Sequence, residues 1–444
     1  MKTVIIGGGI AGLTAAWHLA KSGHRDVIVL ESEEYLGGKA GGWRDADGDV
    51  IEAGLHICFA HYTHLLSLMR ELEVEDKVAW QPAAFTYAFE DGSTFELKMP
   101  PLPPPLPGVA VMLRYPGLRM RDRVASIRAA AEAATVPWRW LETQDSISFK
   151  AWLRKRLVPE AVVTQLFEPM TRGLTFINPE DVSATTMLRY VRQVARSRQD
   201  FGIGFFQGGV FEALIEPLVQ RLRALGVEVR VNQTVQQIEL GEEAVTGVLM
   251  SDGERIPTEA VICATPAHVL PTLISAADLS RFRLLWSLRL SSVPVISAQV
   301  WLDRRVDTSP GLWFFPGAMF NSGADVTRYD HPDDQHAPSV FHLVIAPAAE
   351  YIERTTAELE SLVTGELRAR VRSTWGAKVR KVSIVRMYRS IHFSEPGSER
   401  LRPACETRAR GLFLAGDYVK TGHSCNLEGA VSSALAAARA VMAT

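Results

Sequence analysis

Cysteine is scarce: the 444 residues hold four, Cys58, Cys263, Cys405 and Cys425, and no two of them form a Cys-x-x-Cys pair. That excludes a disulfide framework and a thiolate zinc centre, and a reduced, cytoplasmic compartment is expected. Excess charge of either sign is missing too. A formal net charge of −2 argues against nucleic acid as a partner. No apolar run approaches the roughly 20 residues that a membrane-spanning helix needs, and no cationic start followed by an apolar stretch marks a signal peptide. No Ser/His/Asp order and no spacing of metal ligands stands out, so no metal is expected. What is present is a globular composition, 47% apolar and 22% charged, long enough for two or three domains.

The first forty residues carry the strongest pattern. A β-branched stretch, Thr3 to Ile6, runs into Gly7-x-Gly9-x-x-Gly12, with Ile10 and Ala11 between the last two glycines, and then into a helical stretch to about Ser22. A second strand, Asp26 to Leu30, ends in Glu31, 19 residues past Gly12, against the roughly 20 expected of a dinucleotide-binding unit. The glycines supply a tight turn, a close pyrophosphate approach and helix–strand packing, and the acid is placed for a ribose diol. Just beyond Ser32, "EEYLGGKAGGW" (33–43) adds a glycine pair, Gly37-Gly38, and the cation Lys39, which would give further donors and charge neutralisation to the same pyrophosphate.

The other end reads "GLFLAGDYVKTGHSCNLEGAVSSALAAARAVMAT" (411–444): a short buried strand, Gly416-Asp417, a polar loop, and an alanine-rich helix that opens near Leu427. A helix N-terminus offers unpaired N–H groups and positive potential to whatever lies in front of it.

Together these motifs resemble the flavoprotein family of amine oxidases, carotenoid desaturases and lipid-escort proteins, in which Glu31, the Gly37-Gly38-Lys39 turn and the C-terminal Gly-Asp motif all serve FAD. The resemblance implies an α/β fold: a Rossmann-type FAD-binding domain with an inserted mixed α+β substrate domain. It places Asp417 near the ribityl and pyrophosphate and points the last helix at the flavin, whose reduced form carries negative charge that a helix dipole stabilises. It also implies FAD contacts from Trp43, Gly54, Leu55, Val235, Ala264, Gly416 and Leu427.

Longer strings narrow the likeness. "IEAGLHICFAHYTHLLSLMRELEVEDKVAW" (51–80), "GLTFINPEDVSATTM" (173–187), "VPVISAQVWLDRRV" (293–306) and "LVIAPAAEYIERT" (343–355) resemble plant and cyanobacterial phytoene desaturases, in the same order and over nearly the whole chain. The implied chemistry is desaturation of a long isoprenoid, with electrons passed from flavin to a quinone rather than to NAD. The cofactor carries that chemistry, and the protein supplies an apolar tunnel and alignment. His56 is a candidate active-site neighbour or a structural histidine. Arg192 is a candidate for an arginine facing flavin and substrate; Arg189 and Arg196 share its helix at spacings of three and four, which equally suits a solvated basic face.

The FAD domain is expected to be discontinuous, from 1–80, 205–270 and 395–444, with 81–204 and 271–394 forming the substrate domain. Within the latter, residues 98–134 combine Leu113, Tyr115 and Leu118 with Arg114, Arg119, Arg121, Arg123 and Arg128, a composition suited either to peripheral contact with anionic lipid on the inner membrane face or to a charged solvated helix. Prolines are expected to bar a helix there before about Gly108.

Three functional readings stay open. The first is a desaturase or dehydrogenase for an apolar substrate. The second is a flavoenzyme for another substrate, of the hydroxysqualene dehydroxylase or amine oxidase kind, because the polar His423-Ser424-Cys425-Asn426 replaces a bulkier apolar loop of the desaturases. The third is a non-catalytic escort protein, against which the intact glycine motif, Glu31 and Asp417 argue.

Overall fold

The computed structural model describes residues 2–82, 84–98, 102, 106–115, 118–196 and 202–444. Among these, a five-stranded parallel sheet forms the base, in the spatial order Glu228–Arg230, Val27–Leu30, Thr3–Ile6, Ala260–Cys263 and Leu412–Leu414. Its central strands are apolar runs because helices and a second sheet cover both faces. Alternation sorts the side chains: Ile5, Val27, Val29, Ile262 and Phe413 join one core, and Val4, Ile6, Ile28, Leu30, Val261, Cys263, Leu412 and Leu414 the other.

The first core is roofed by the helices Ile10–Lys21 and Leu427–Ala443, which pack against each other and bury small residues including Ala15, Ala16, Ala434, Ala437 and Ala438. The second is closed by the antiparallel sheet Val235–Leu240, Val245–Met250 and Arg255–Pro257. The strands of the parallel sheet thus come from three separated stretches of chain.

Between those stretches lies a seven-stranded mixed sheet in the order Val379–His392, Ser292–Leu302, Val340–Ile345, Ser322–Asp325, Leu312–Phe314, Ala84–Ala88 and Thr94–Lys98. Its one parallel pairing is Leu312–Phe314 with Ala84–Ala88. A three-stranded antiparallel sheet, Ile57–Phe59, Gly202–Phe206 and Val78–Pro82, lies alongside. Lys381 of the longest strand binds Asp45, Asp47 and Asp49 together, pinning the mixed sheet to the loop that follows the first FAD-type motif.

One expectation is corrected. The helix expected to start no earlier than Gly108 spans Leu106–Arg114. Pro107 falls in its first turn, where a missing N–H has no intrahelical partner to lose. Of the 98–134 segment, residues 99–101, 103–105 and 116–117 lie outside the described residues, as do the side chains of Val111 and, further on, Arg196. Among the described residues no helix is long and apolar enough to cross a membrane.

Candidate FAD-binding and redox site

The two glycine turns interlock. Gly37 N donates to Gly8 O at 2.9 Å, and Gly9 and Gly37 form a parallel bridge. A Cβ on Gly12 would lie 2.0 Å from Gly7 O, so only glycine lets the helix Ile10–Lys21 settle onto its turn. That helix has Gly9 at its N-cap with no side-chain cap and no acid in its first turn. The N–H groups of Ile10, Ala11 and Gly12 are therefore an anion site of the kind that takes a pyrophosphate. Gly38, at φ 58°, sits so close that its Cβ would come within 3.2 Å of Gly9 Cα.

Glu31, 8% exposed at the end of its strand, is fixed in place by several donors. Its Oε2 accepts from Gly8 N at 2.7 Å, and its Oε1 from Glu33 N at 3.0 Å and Ser32 Oγ at 3.1 Å. A carboxylate has about four acceptor positions, so a free one is left beside the glycine turn for a ribose hydroxyl. The Val235 strand adjoins it, because Gln233 N donates to Glu31 O at 2.8 Å. Ala264 packs on the other side: its N donates to Ile6 O at 2.8 Å, and its O would meet a Cβ on Gly7 at 2.9 Å.

Lys39 reaches across to the chain's far end, its Nζ 2.9 and 3.1 Å from the two oxygens of Asp417. Burial would raise the Asp417 pKa, but Lys39, helped by His392 and Arg402, outweighs it and holds the carboxyl below its ordinary range. Gly416, at φ 139°, donates its N–H to Ser433 Oγ at 2.8 Å, so the last helix fixes the Gly-Asp turn from behind. Asn426 caps that helix, accepting from Gly429 N at 2.9 Å, with Leu427 as its first residue.

Gly54, Leu55 and His56 follow the strand Val50–Glu52, and Trp43 lies on its partner strand, 5.2 Å from the Tyr35 ring. The His56 ring faces the backbone of Gly54 and Lys39, and burial lowers its pKa to about 4, so the imidazole is neutral at pH 7. Beyond the loop, Leu55, Phe176 and Met387 pack around Val295, Val344 and Ala346 in an apolar cluster. Phe176 ends a helix at φ 60°, a strained position for a non-glycine residue.

The helix Ala184–Arg196 does not present a solvated face at its described arginines: Arg189 and Arg192 are 3% and 5% exposed. Arg192 donates to Val136 O and lies over the Trp138 ring, on the side of the neighbouring helix Trp138–Glu142. Arg189, one turn earlier, is the residue that leads toward the Gly-Asp loop. It pairs with Glu399, which also binds Arg402, and Arg402 donates to the carbonyls of Asp417, Tyr418, Val419 and His423. Sequence reading missed Glu399, Arg402 and Ser433, since no motif spacing distinguishes them.

The polar loop that opened the substrate question turns largely inward. Asn426 Nδ2 donates to Tyr62 OH at 3.0 Å, Ser424 and Cys425 are buried, and the His423 ring packs edge-on to His64.

Residues 10–442 match the family described as flavin containing amine oxidoreductase. The chain belongs to that family. It is 32% identical to the 15-cis-phytoene desaturase of Solanum lycopersicum over 463 residues, covering 100% of this chain and 78% of that one. The 15-cis-phytoene desaturase of Synechococcus elongatus is 30% identical over 462 residues, covering 100% and 96%. An oxidoreductase from Methanosarcina mazei has the same fold, with a TM-score of 0.76 at 18% identity and complete coverage of both chains. The chain is thus a phytoene desaturase-like, FAD-dependent oxidoreductase, and the interlocked glycine turns, Glu31 and the Lys39–Asp417 pair fit the cofactor.

Proposed function

We propose that the protein desaturates a long isoprenoid of the phytoene class and that a quinone-type acceptor takes up the electrons. The observation that carries this reading is the apolar cluster of Leu55, Phe176, Val295, Val344, Ala346 and Met387 beside the Gly54–His56 loop. A saturated stretch of hydrocarbon offers no hydrogen-bonding handle, so it must be aligned by shape and by exclusion of water, and apolar packing beside the loop suits both. FAD supplies the hydride acceptor when bound. Around it, Lys39 and Asp417 hold the two ends of the chain together, and Arg402 fixes the carbonyls of the loop leading to the last helix. His56, neutral near pH 7, brings no charge beside this apolar cluster and needs no counter-ion there.

Peripheral contact with an anionic membrane belongs to the same reading. Leu106, Leu113, Met120 and Val124 are exposed, Met120 by 68%, on the two helices Leu106–Arg114 and Met120–Thr135 that also carry Arg114 and Arg121. Apolar side chains among cations favour a lipid surface, and a substrate that dissolves only in the bilayer would be taken up there.

The test is anaerobic addition of phytoene in liposomes to the flavin-loaded protein, followed by its visible spectrum. Bleaching of the flavin, reversed by a quinone and not by NAD, is the expected outcome. A flavin that phytoene leaves oxidised but that amines or hydroxylated isoprenoids bleach would overturn the substrate and keep the redox enzyme.

A further inference from the structure

Glu428, in the first turn of the last helix, is 1% exposed and reaches the start of the helix Thr63–Glu71. Its Oε1 accepts from His64 N at 2.9 Å and Thr63 Oγ1 at 3.3 Å, and its Oε2 from Leu65 N at 2.9 Å. Three donors against about four acceptor positions leave one lone pair of the carboxylate open. Beside it stand two imidazoles from opposite ends of the sequence, His64 and His423, their rings 5.8 Å apart and nearly perpendicular. One ligand atom of each of the three residues lies within 4.8 Å of the others. Lys381 occupies the other such grouping, Asp45, Asp47 and Asp49, and serves there as the cation.

We propose that His64, His423 and Glu428 bind a divalent transition-metal ion, zinc being the probe of choice, which clamps the 418–426 loop onto the helix Thr63–Glu71. Two imidazoles and one carboxylate form a borderline donor set, suited to zinc, cobalt, nickel or copper and poorly suited to magnesium or calcium. Around tetrahedral zinc, with bonds of about 2.0–2.1 Å, neighbouring ligand atoms stand roughly 3.4 Å apart. Side-chain rotation of the two partly exposed histidines closes the remaining distance, while Glu428 stays fixed by its backbone donors. His64 also lines a surface groove of about 340 Å³ with His18, Glu71 and Arg439, so its side of the cluster faces solvent. Such an ion would lie behind the loop that joins Asp417 to the last helix, and so would act on the position of the redox site rather than on substrate.

The experiment is equilibrium dialysis of chelator-stripped, flavin-loaded protein against micromolar zinc, with metal counted by elemental analysis and folding checked by circular dichroism. The variants are His64→Ala, His423→Ala and, as a remote control, His336→Ala at an exposed position. One zinc per chain is expected in the parent and in His336→Ala, with affinity lowered on the order of tenfold or more in each of the other two, as loss of one of three ligands requires. No stoichiometric zinc in the parent would overturn the proposal, and so would binding unchanged in His64→Ala and His423→Ala. Loss in only one of them would overturn this set of three ligands. Because the readout is metal content, a failed desaturase assay has no bearing on it.

Discussion

Arg189 Nη1 lies 2.6 Å from Glu399 Oε2, in an ion pair whose side chains are 4% and 9% exposed. Glu399 simultaneously pairs with Arg402 at 3.2 Å, and Arg402 is 1% exposed at its side chain. One carboxylate between two guanidiniums therefore connects the helix Ala184–Arg196 to the loop that carries Asp417.

Replacing Glu399 by Gln leaves two buried guanidiniums without their counter-charge, and a destabilisation of about 3–5 kcal/mol is expected. Chemical denaturation measures it. A variant as stable as the parent would remove the network from the account of the fold.

Acid should weaken the same network. Burial raises the Glu399 pKa, but Arg402 and Arg189 outweigh it, so the folded value lies below the ordinary one. A depressed carboxylate pKa contributes stability that is present above the unfolded value of about 4.3 and lost as pH falls through the folded value. Thermal melts below pH 4 should show a smaller loss in Glu399→Gln than in the parent, Asp417, also held low, contributing to both.

Glu52 works with the opposite sign. Burial pushes its pKa up to about 8, in spite of the hydrogen bonds from Phe211 N and from Val210, while Asp330 and Glu212 push it further up. A raised carboxylate pKa favours folding fully below the unfolded value and loses that contribution as pH climbs toward the folded one. Stability should therefore decline between about pH 4.5 and pH 8, and Glu52→Gln, which keeps an acceptor for Phe211 N, should flatten that part of the curve. Asp330, pushed up to about 7 chiefly by burial, leaves a residual slope.

Glu31→Ala removes the acceptor proposed for the ribose and releases Gly8 N. A charge-assisted hydrogen bond is worth about 1.5–3 kcal/mol, or roughly 10- to 150-fold in FAD affinity. The flavin-to-protein ratio after gel filtration reports it, and full occupancy would count against this role.

Membrane contact through the two arginine-bearing helices makes binding to anionic liposomes strong at low salt and weak at high salt, because exposed charges are screened over about 10 Å at 0.1 M. Arg121→Glu should lower binding, and Met120→Ser should lower what survives in salt. Equal sedimentation with neutral and anionic vesicles would remove the electrostatic part.

Much of the architecture was legible in the chain. The β-branched stretch at Thr3, the strand that ends before Glu31 and the alanine-rich last helix are local patterns, and each formed near where its pattern lies. The start of the helix at Leu106 escaped because a proline rule for helix interiors was applied to a first turn. The arginine helix escaped differently. Spacing puts Arg189 and Arg192 on similar faces, and both lie over the Trp138 ring, but only the neighbours decide that one pairs with Glu399 and the other donates to Val136 O.

By itself, then, the sequence determined the glycine turns, the acid that ends the second strand and the kinship to flavoenzymes, because each rests on backbone geometry within some forty residues or on strings aligned along the chain. The tertiary structure decided which distant side chains meet: Lys39 with Asp417, Arg402 with the loop carbonyls, and His64 with His423 and Glu428. Lys39 and Asp417 lie 378 residues apart and His64 and Glu428 364, while Arg402 reaches carbonyls 15 to 21 residues on, and each pairing is set by how the sheets, helices and loops pack. No periodicity or spacing along the chain encodes it.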